Sequence, residues 1–310
     1  MSSPRTDASA RRPPRRRLPT WIRTRPPGGG AYARLKRELR ERGLATVCEE
    51  ARCPNVHECW ADGTATVMVL GEICTRGCRF CAVQTRKRPP APDPEEPEQV
   101  ARMISGLGLR YVVLTMVDRD DLPDGGADHV GRCVEALRRA VPELLVEALV
   151  SDFRGQRAAV ERVVRSGPAV FAHNIETVER LTPRVRDPRC GYRQSLEVLR
   201  FAKERAPSGQ AMRTKSSIML GLGERPDELE QAFADLRAAG VDVLTLGQYL
   251  RPTPKHLAVE EFVPPERFDA LAERARAHGF EYVAAGPLVR SSYRAAELYL
   301  ERRLRSRAGS

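Results

Sequence analysis

Six of the eight cysteines in this chain fall between residues 48 and 81, a clustering that favours metal chemistry over disulfides in a long chain without an apolar leader. Cys74, Cys78 and Cys81 form C-x-x-x-C-x-x-C on one polar, arginine-containing loop. Three thiolates supply three ligands where a cubane cluster has four irons, which leaves one iron open to a small molecule. Structural zinc wants four closed ligands, and no fourth Cys or His lies in that loop. Cys48, Cys53 and Cys59 make a second triad, C-x-x-x-x-C-x-x-x-x-x-C, with His57 available as a fourth donor. At that triad zinc and an iron–sulfur cluster both remain open on spacing alone. Cys133 and Cys190 stand alone and read as packing or neutral surface.

The elements that must carry these thiols come from periodicity. Short β-branched or apolar runs occupy 64–70, 111–117, 144–150, 169–174, 213–220 and 241–247. Helical patterns separate them at 95–107, 128–140, 155–166, 193–206 and 226–239, with a further helix at 266–279 before a short run near 281–284. Strands alternating with helices imply right-handed βαβ units and a parallel sheet. Six such units suit an incomplete (β/α)6 TIM-type barrel, with a doubly wound sheet as the alternative. In either fold ligands bind at the C-terminal strand ends, and the sharper triad follows the first strand directly. The expected organisation is an Arg/Pro-rich disordered arm at 1–30, an extension at 31–63 with a helix over 31–43, a barrel at 64–255 and a C-terminal extension at 256–310. The two extensions are expected to cover the open face.

Hydrophobic content of 41% and charged content of 30% suit a soluble globular protein, and no apolar run is long enough to span a membrane. The net charge of +11 is mostly a tail. Residues 1–27 hold eight arginines against Asp7 alone, so the folded body is only mildly basic. That arm allows a mitochondrial leader or a nucleic-acid contact as alternatives to a bacterial cytosolic protein.

The cysteine loop, with an aromatic residue before its last cysteine, resembles the radical S-adenosylmethionine superfamily, and its pairing with the first triad resembles lipoyl synthases. The likeness continues in V-D-R-D-D-L at 117–122, D-G-G-A at 124–127, H-N-x-E-T at 173–177, T-K-S-x-x-M-x-G-L-G-E at 214–224, L-T-L-G-Q-Y-L at 244–250 and G-P-L-V-R-S-S-Y at 286–293. It covers roughly residues 31–300 and leaves the arm outside. Met116 departs from the small hydroxyl residue expected there.

By that resemblance, Cys74, Cys78 and Cys81 hold a 4Fe-4S cluster that binds S-adenosylmethionine and generates a radical. Cys48, Cys53 and Cys59 hold a second, sacrificial cluster whose fourth iron takes Ser291, with Ser292 as the lesser choice. The implied reaction inserts two sulfurs at carbons six and eight of an octanoyl chain on a lipoyl carrier domain or a glycine cleavage carrier protein. Unactivated carbons of that kind require a radical, while the protein supplies orientation and exclusion of water. Around the cofactor, Phe80 is expected beside the adenine, Asn174 at the ribose, Lys215 at the methionyl carboxylate, and Gly221 and Gly223 where backbone approaches closely. Arg290 would hold its loop or contact a sulfide, and Asp118, Arg119 and Asp120 read equally well as a surface ion-pair network. Implied partners are a ferredoxin or flavodoxin reductant and a cluster-assembly carrier, with no membrane and no specific nucleic acid. Another radical sulfur inserter and a basic zinc protein that binds nucleic acid are the competing readings.

Overall fold

The structure is a computed structural model in which residues 18–22, 64–207 and 212–292 are described. Within them, seven strands build one parallel sheet: β1 (Thr64–Val69), β4 (Tyr111–Met116), β5 (Leu145–Leu149), β6 (Val170–Ala172), β7 (Arg213–Leu220), β8 (Val243–Gln248) and β9 (Tyr282–Gly286). They lie in that order, every neighbouring pair is parallel, and no pairing among the described residues joins β1 to β9. The sheet is an incomplete barrel. Two further strands of two residues each, β2 (Ile73–Cys74) and β3 (Gln84–Thr85), pair with one another outside it.

Helices α1 (Glu96–Ser105), α2 (Ala127–Ala140), α3 (Arg157–Arg165), α4 (Thr182–Val185), α5 (Tyr192–Glu204), α6 (Pro226–Ala238) and α7 (Pro265–Ala277) cover the outside. The expected strand and helix runs from residue 64 onward therefore appear. The sheet, however, continues past residue 255 through a seventh strand, β9, where a short run was expected. Its backbone pairs with β8 from Val243↔Tyr282 to Gly247↔Gly286, a ladder that five residues of modest hydrophobicity do not announce. The expected helix at 31–43 lies outside the described residues.

Alternation along the strands sorts the core into layers. Val67, Val112, Leu114, Val146 and Phe171 face outward with Ile104, Val134, Leu137 and Val163 of the first three helices. Ile218, Leu220, Leu244 and Leu246 do the same with Phe233, Leu236, Phe268 and Leu271. Inside the barrel, Tyr111, Val113, Val170, Ala172, Val243 and Ala284 form a third cluster. Val289, just beyond β9, joins this inner cluster. Gly247 makes that possible, since a Cβ there would collide with the carbonyl oxygen of Val289.

The interior also holds a buried ion pair. Lys215 Nζ lies 3.0 and 2.8 Å from the two Glu147 carboxylate oxygens, and the Tyr111 hydroxyl donates to Glu147 at 2.7 Å. Lys215 and Glu147 are 1% and 0% exposed, so removing one partner strands a charge in a low-dielectric core. Lys215→Met is expected to cost about 3–5 kcal/mol, read as a lowered apparent Tm, with Glu147→Gln/Lys215→Met recovering part of the loss. A single variant as stable as the parent would contradict the assigned pairing.

Candidate functional site

At the C-terminal end of β1 the chain turns through Leu70 and Gly71, at φ 70° and 82°. Leu70 is a bulky residue in left-handed backbone and is held there from two sides. Its N–H donates to Glu96 Oε2 at 2.9 Å, and its carbonyl accepts from Arg119 Nη1 at 3.3 Å. Beyond this turn, β2 and β3 close the base of the cysteine loop through Ile73↔Gln84 and Cys74↔Thr85. Cys74, Cys78 and Cys81 are all partly buried on that loop, reduced and unpaired by disulfides.

The loop is fastened to the barrel by groups from three other segments. Thr75 N–H and Oγ1 both donate to the Asp118 carbonyl, at 2.9 and 3.0 Å, and Asp120 N–H donates to Thr75 Oγ1 at 3.0 Å. Gly77 N–H donates to Asp187 Oδ2 at 2.8 Å, Arg189 Nη2 to the Thr75 carbonyl at 2.8 Å, and Arg79 N–H to the Val185 carbonyl at 2.9 Å. On the remaining side, His256 Nε2 meets the Cys81 carbonyl at 2.9 Å, and Leu257 N–H donates to the Arg79 carbonyl at 3.2 Å.

Arg76, between the first two cysteines, is the centre of the arrangement. It is 3% exposed and bonds Asp120 through Nε and Nη2, each at 2.8 Å, and Asp152 through Nη1 at 2.7 Å. Nη1 also donates to Cys190 Sγ at 3.3 Å. Burial opposes the guanidinium charge, but Asp120, Asp118 and Asp152 outweigh it and hold the cation. Asp118 Oδ1 lies 3.2 Å from Arg76 Nη1 yet makes no hydrogen bond. Burial pushes the Asp118 carboxyl up to about 6.

Two backbone amides aim at the sulfurs, Arg76 N–H at Cys74 Sγ and Asp187 N–H at Cys78 Sγ, each at 3.3 Å. Such donors favour the thiolate. Burial, followed by the charge of Asp118, nevertheless pushes the free Cys74 thiol up to about 12. Burial raises Cys81 as well. Cys78 is raised first by its hydrogen bond with Cys190 and then by burial. Without iron the loop holds protons, and a bound metal must displace them.

The donor chemistry fits a cluster. Among the described residues no three His, Cys, Asp or Glu side chains converge on a single ion; a cubane instead takes one thiolate at each of separate corners. Asn174, two residues past β6, donates Nδ2 to Glu176 Oε1 at 3.1 Å, while its Oδ1 is buried without a partner. That orphaned oxygen at a strand end is suited to a ligand hydroxyl.

Other expected residues fare differently. Lys215 is committed to Glu147 near the start of β7, away from the strand ends, so it does not carry over to a methionyl carboxylate. Gly221 is explained by the protein itself: a Cβ would collide with Gln248 Nε2 and the Glu261 carbonyl. At Gly223 a Cβ would meet only Glu260 Cγ, at 3.9 Å, so that approach is open, with φ at 103°. Phe80 packs against the outer apolar cluster of α5 to α7. Asp118, Arg119 and Asp120 are no surface network. Arg119 is 1% exposed and ties Asp121, Leu70 and Pro90 together, while its two neighbours serve Arg76. Asp124 caps α2 by accepting from Gly126 and Asp128 N–H, which gives the D-G-G-A segment a structural role. His173 is buried against Val150 and Ser195, and burial depresses its pKa to about 4. Ser291 and Ser292 are partly buried just past the anchored Val289, and Arg290 Nη1 donates to the Val289 carbonyl at 2.7 Å. Cys133 packs in α2 at 0% exposure. Cys190, expected to be packing or neutral surface, touches the site through Arg76. Cys48, Cys53, Cys59 and Tyr293 lie outside the described residues.

Parallel strands with three thiols beyond the first of them define a radical S-adenosylmethionine enzyme, and the Radical SAM superfamily profile matches residues 68–236. The profile of the N-terminal domain of lipoyl synthase matches residues 5–53, which brings most of the arm inside the family rather than outside it. The chain is 55% identical over 304 residues to the chloroplastic lipoyl synthase of Ricinus communis, covering 96% of this chain and 83% of that one. It is 54% identical over 301 residues to the mitochondrial lipoyl synthase of Caenorhabditis elegans, covering 94% and 84%. The chain belongs to the lipoyl synthase family. For the fold alone, it resembles Streptococcus suis SuiB bound to S-adenosylmethionine, with a TM-score of 0.55 and 10% identity over 75% of this chain and 55% of that one. Membership removes the zinc-protein reading.

If Arg76 sets the loop, Arg76→Met should leave Asp118 and Asp152 without the cation they face and lower iron content after reconstitution by about four per chain, the content of one cubane. Iron equal to the parent's would show that the loop forms without it.

Proposed function

We propose that the chain converts an octanoyl group on a lipoyl carrier domain or glycine cleavage carrier protein into a lipoyl group, by inserting sulfur at carbons six and eight. The observation that carries this reading is the fastened three-thiol loop at the strand ends, in a chain that belongs to the lipoyl synthase family. Bound there, a 4Fe-4S cluster and S-adenosylmethionine supply a carbon-centred radical able to take hydrogen from an unactivated carbon.

The chain's own residues do the rest. Cys74, Cys78 and Cys81 hold three irons, and the Arg76 and Asp187 amides stabilise two of the sulfurs in their charged form. Asn174 offers its unpartnered oxygen to a ribose hydroxyl, and Gly223 leaves space for close approach. Phe80, partly buried where the loop packs on the apolar cluster, is the residue we assign beside the adenine. The segment after β9, anchored inside the barrel by Val289, carries Ser291 as the oxygen ligand of the second cluster. Cys48, Cys53 and Cys59 complete that second set. A hydroxyl is a poorer ligand for such iron than a thiolate, which suits a cluster that must give up sulfur.

The reductant is a ferredoxin or flavodoxin, and a cluster-assembly carrier restores the consumed sulfur. A mildly basic body aids encounter with acidic partners, so turnover should fall with salt. The bacterial cytosol is our reading of its setting. The mitochondrion is the alternative, and the relatives above are named for organelles. No described helix is long and apolar enough to cross a membrane.

With anaerobically reconstituted protein and an octanoyl-carrier, mass spectrometry should show two sulfurs added to the acyl chain. Ser291→Ala should lose that product while S-adenosylmethionine cleavage persists. Cleavage without any sulfur transfer by the parent chain would overturn the assignment.

A further inference from the structure

Cys190 stands outside the proposed cluster ligands, yet its side chain neighbours that of Cys78 in the fold. Both sulfurs are fixed by the same short segment. Asp187 N–H donates to Cys78 Sγ at 3.3 Å, and Cys190 N–H donates to the Asp187 carbonyl at 2.8 Å. Arg76 Nη1, itself locked by Asp152, holds Cys190 Sγ at 3.3 Å. Cys190 is 6% exposed, whereas Cys78 is only partly buried. An oxidant arriving from solvent therefore reaches Cys78 first, with Cys190 held beside it by the same turn. Neither remaining loop thiol stands in that position. Cys74 Sγ faces Asp118 Oδ2 at 3.9 Å.

We propose that Cys78 and Cys190 form a reversible disulfide when the loop carries no iron and a hydroperoxide reaches it. The peroxide O–O bond breaks as Cys78 Sγ takes one oxygen and its proton passes to the departing oxygen, giving a sulfenic acid and releasing water or an alcohol. Cys190 Sγ then attacks that sulfur. The S–O bond breaks, the hydroxyl leaves as water with the Cys190 proton, and the S–S bond forms. Two thiols have lost two electrons and the peroxide has gained them. The disulfide spares Cys78 from irreversible oxidation and withholds it from iron until a dithiol restores both thiols. That last consequence rests on the cluster role proposed for Cys78; the cross-link itself does not.

The test uses the full chain prepared without iron, treated with hydrogen peroxide, alkylated, and digested without reductant. Mass spectrometry should find a Cys78–Cys190 linked peptide, lighter by two hydrogens and abolished by dithiothreitol. Parent protein reduced after peroxide should regain its iron uptake, whereas Cys190→Ala treated the same way should carry Cys78 as sulfinic or sulfonic acid and take up several-fold less iron. Cys190→Ser, closer in size, should behave as Cys190→Ala does. Recovery of Cys190 from the oxidised parent chain wholly alkylated would overturn the inference. A linked peptide in a chain that never takes up iron would uphold the inference and count against the cluster reading alone.

Discussion

The active loop depends on one buried cation. Arg76 is nearly sealed from water, and Asp118, Asp120 and Asp152 reach it from the ends of β4 and β5. A guanidinium presents its donors in a planar fork, so it can bind several carboxylates at fixed angles where an ammonium cannot. The desolvation cost of four charges is met only if all stay in register. That requirement fixes the backbone on both sides of residue 76, and hence where Cys74 and Cys78 point. Asp187 and Arg189 add a second clasp from the segment before α5 and His256 and Leu257 a third, so that four separated stretches of chain converge on the cysteine loop.

The barrel below provides a rigid and largely filled base. Among the described residues its interior is closed by apolar side chains and by the Glu147–Lys215–Tyr111 group. Val289 enters this interior from the far side of the sheet and brings the Arg-Ser-Ser segment with it. Loss of a side chain at Gly247 is what lets that strap lie against β8. The open edge between β1 and β9 leaves a place for chain extensions to complete the enclosure.

Much of this was readable in the sequence, because alternation and triad spacing are local signals. The first six strands of the main sheet and the longer helices followed from period, and the cysteine loop from its spacing directly after β1. What local pattern could not give was pairing across the fold. Lys215 sits in a family segment as a polar residue on a strand, but only the register of β7 against its neighbours shows that it meets Glu147. Asp118 and Asp120 alternate with Arg119, so the three point to different partners and do not form one surface network. Cys190 looked solitary because its partner is more than a hundred residues away, and the dense charge at 184–189 was the sole hint that this segment grips something. Gly221 is a reminder that a glycine at a strand end often yields to the protein's own backbone.

The central claim is that the fastened loop holds one cluster that binds S-adenosylmethionine at an open iron. Its most direct test is the electron paramagnetic resonance spectrum of reduced Cys48→Ala/Cys53→Ala/Cys59→Ala protein, which retains that loop alone, recorded with and without S-adenosylmethionine. A reduced-cluster signal whose shape shifts on addition of the cofactor is the predicted result. A cluster signal indifferent to S-adenosylmethionine, or no cluster signal at all, would contradict the account.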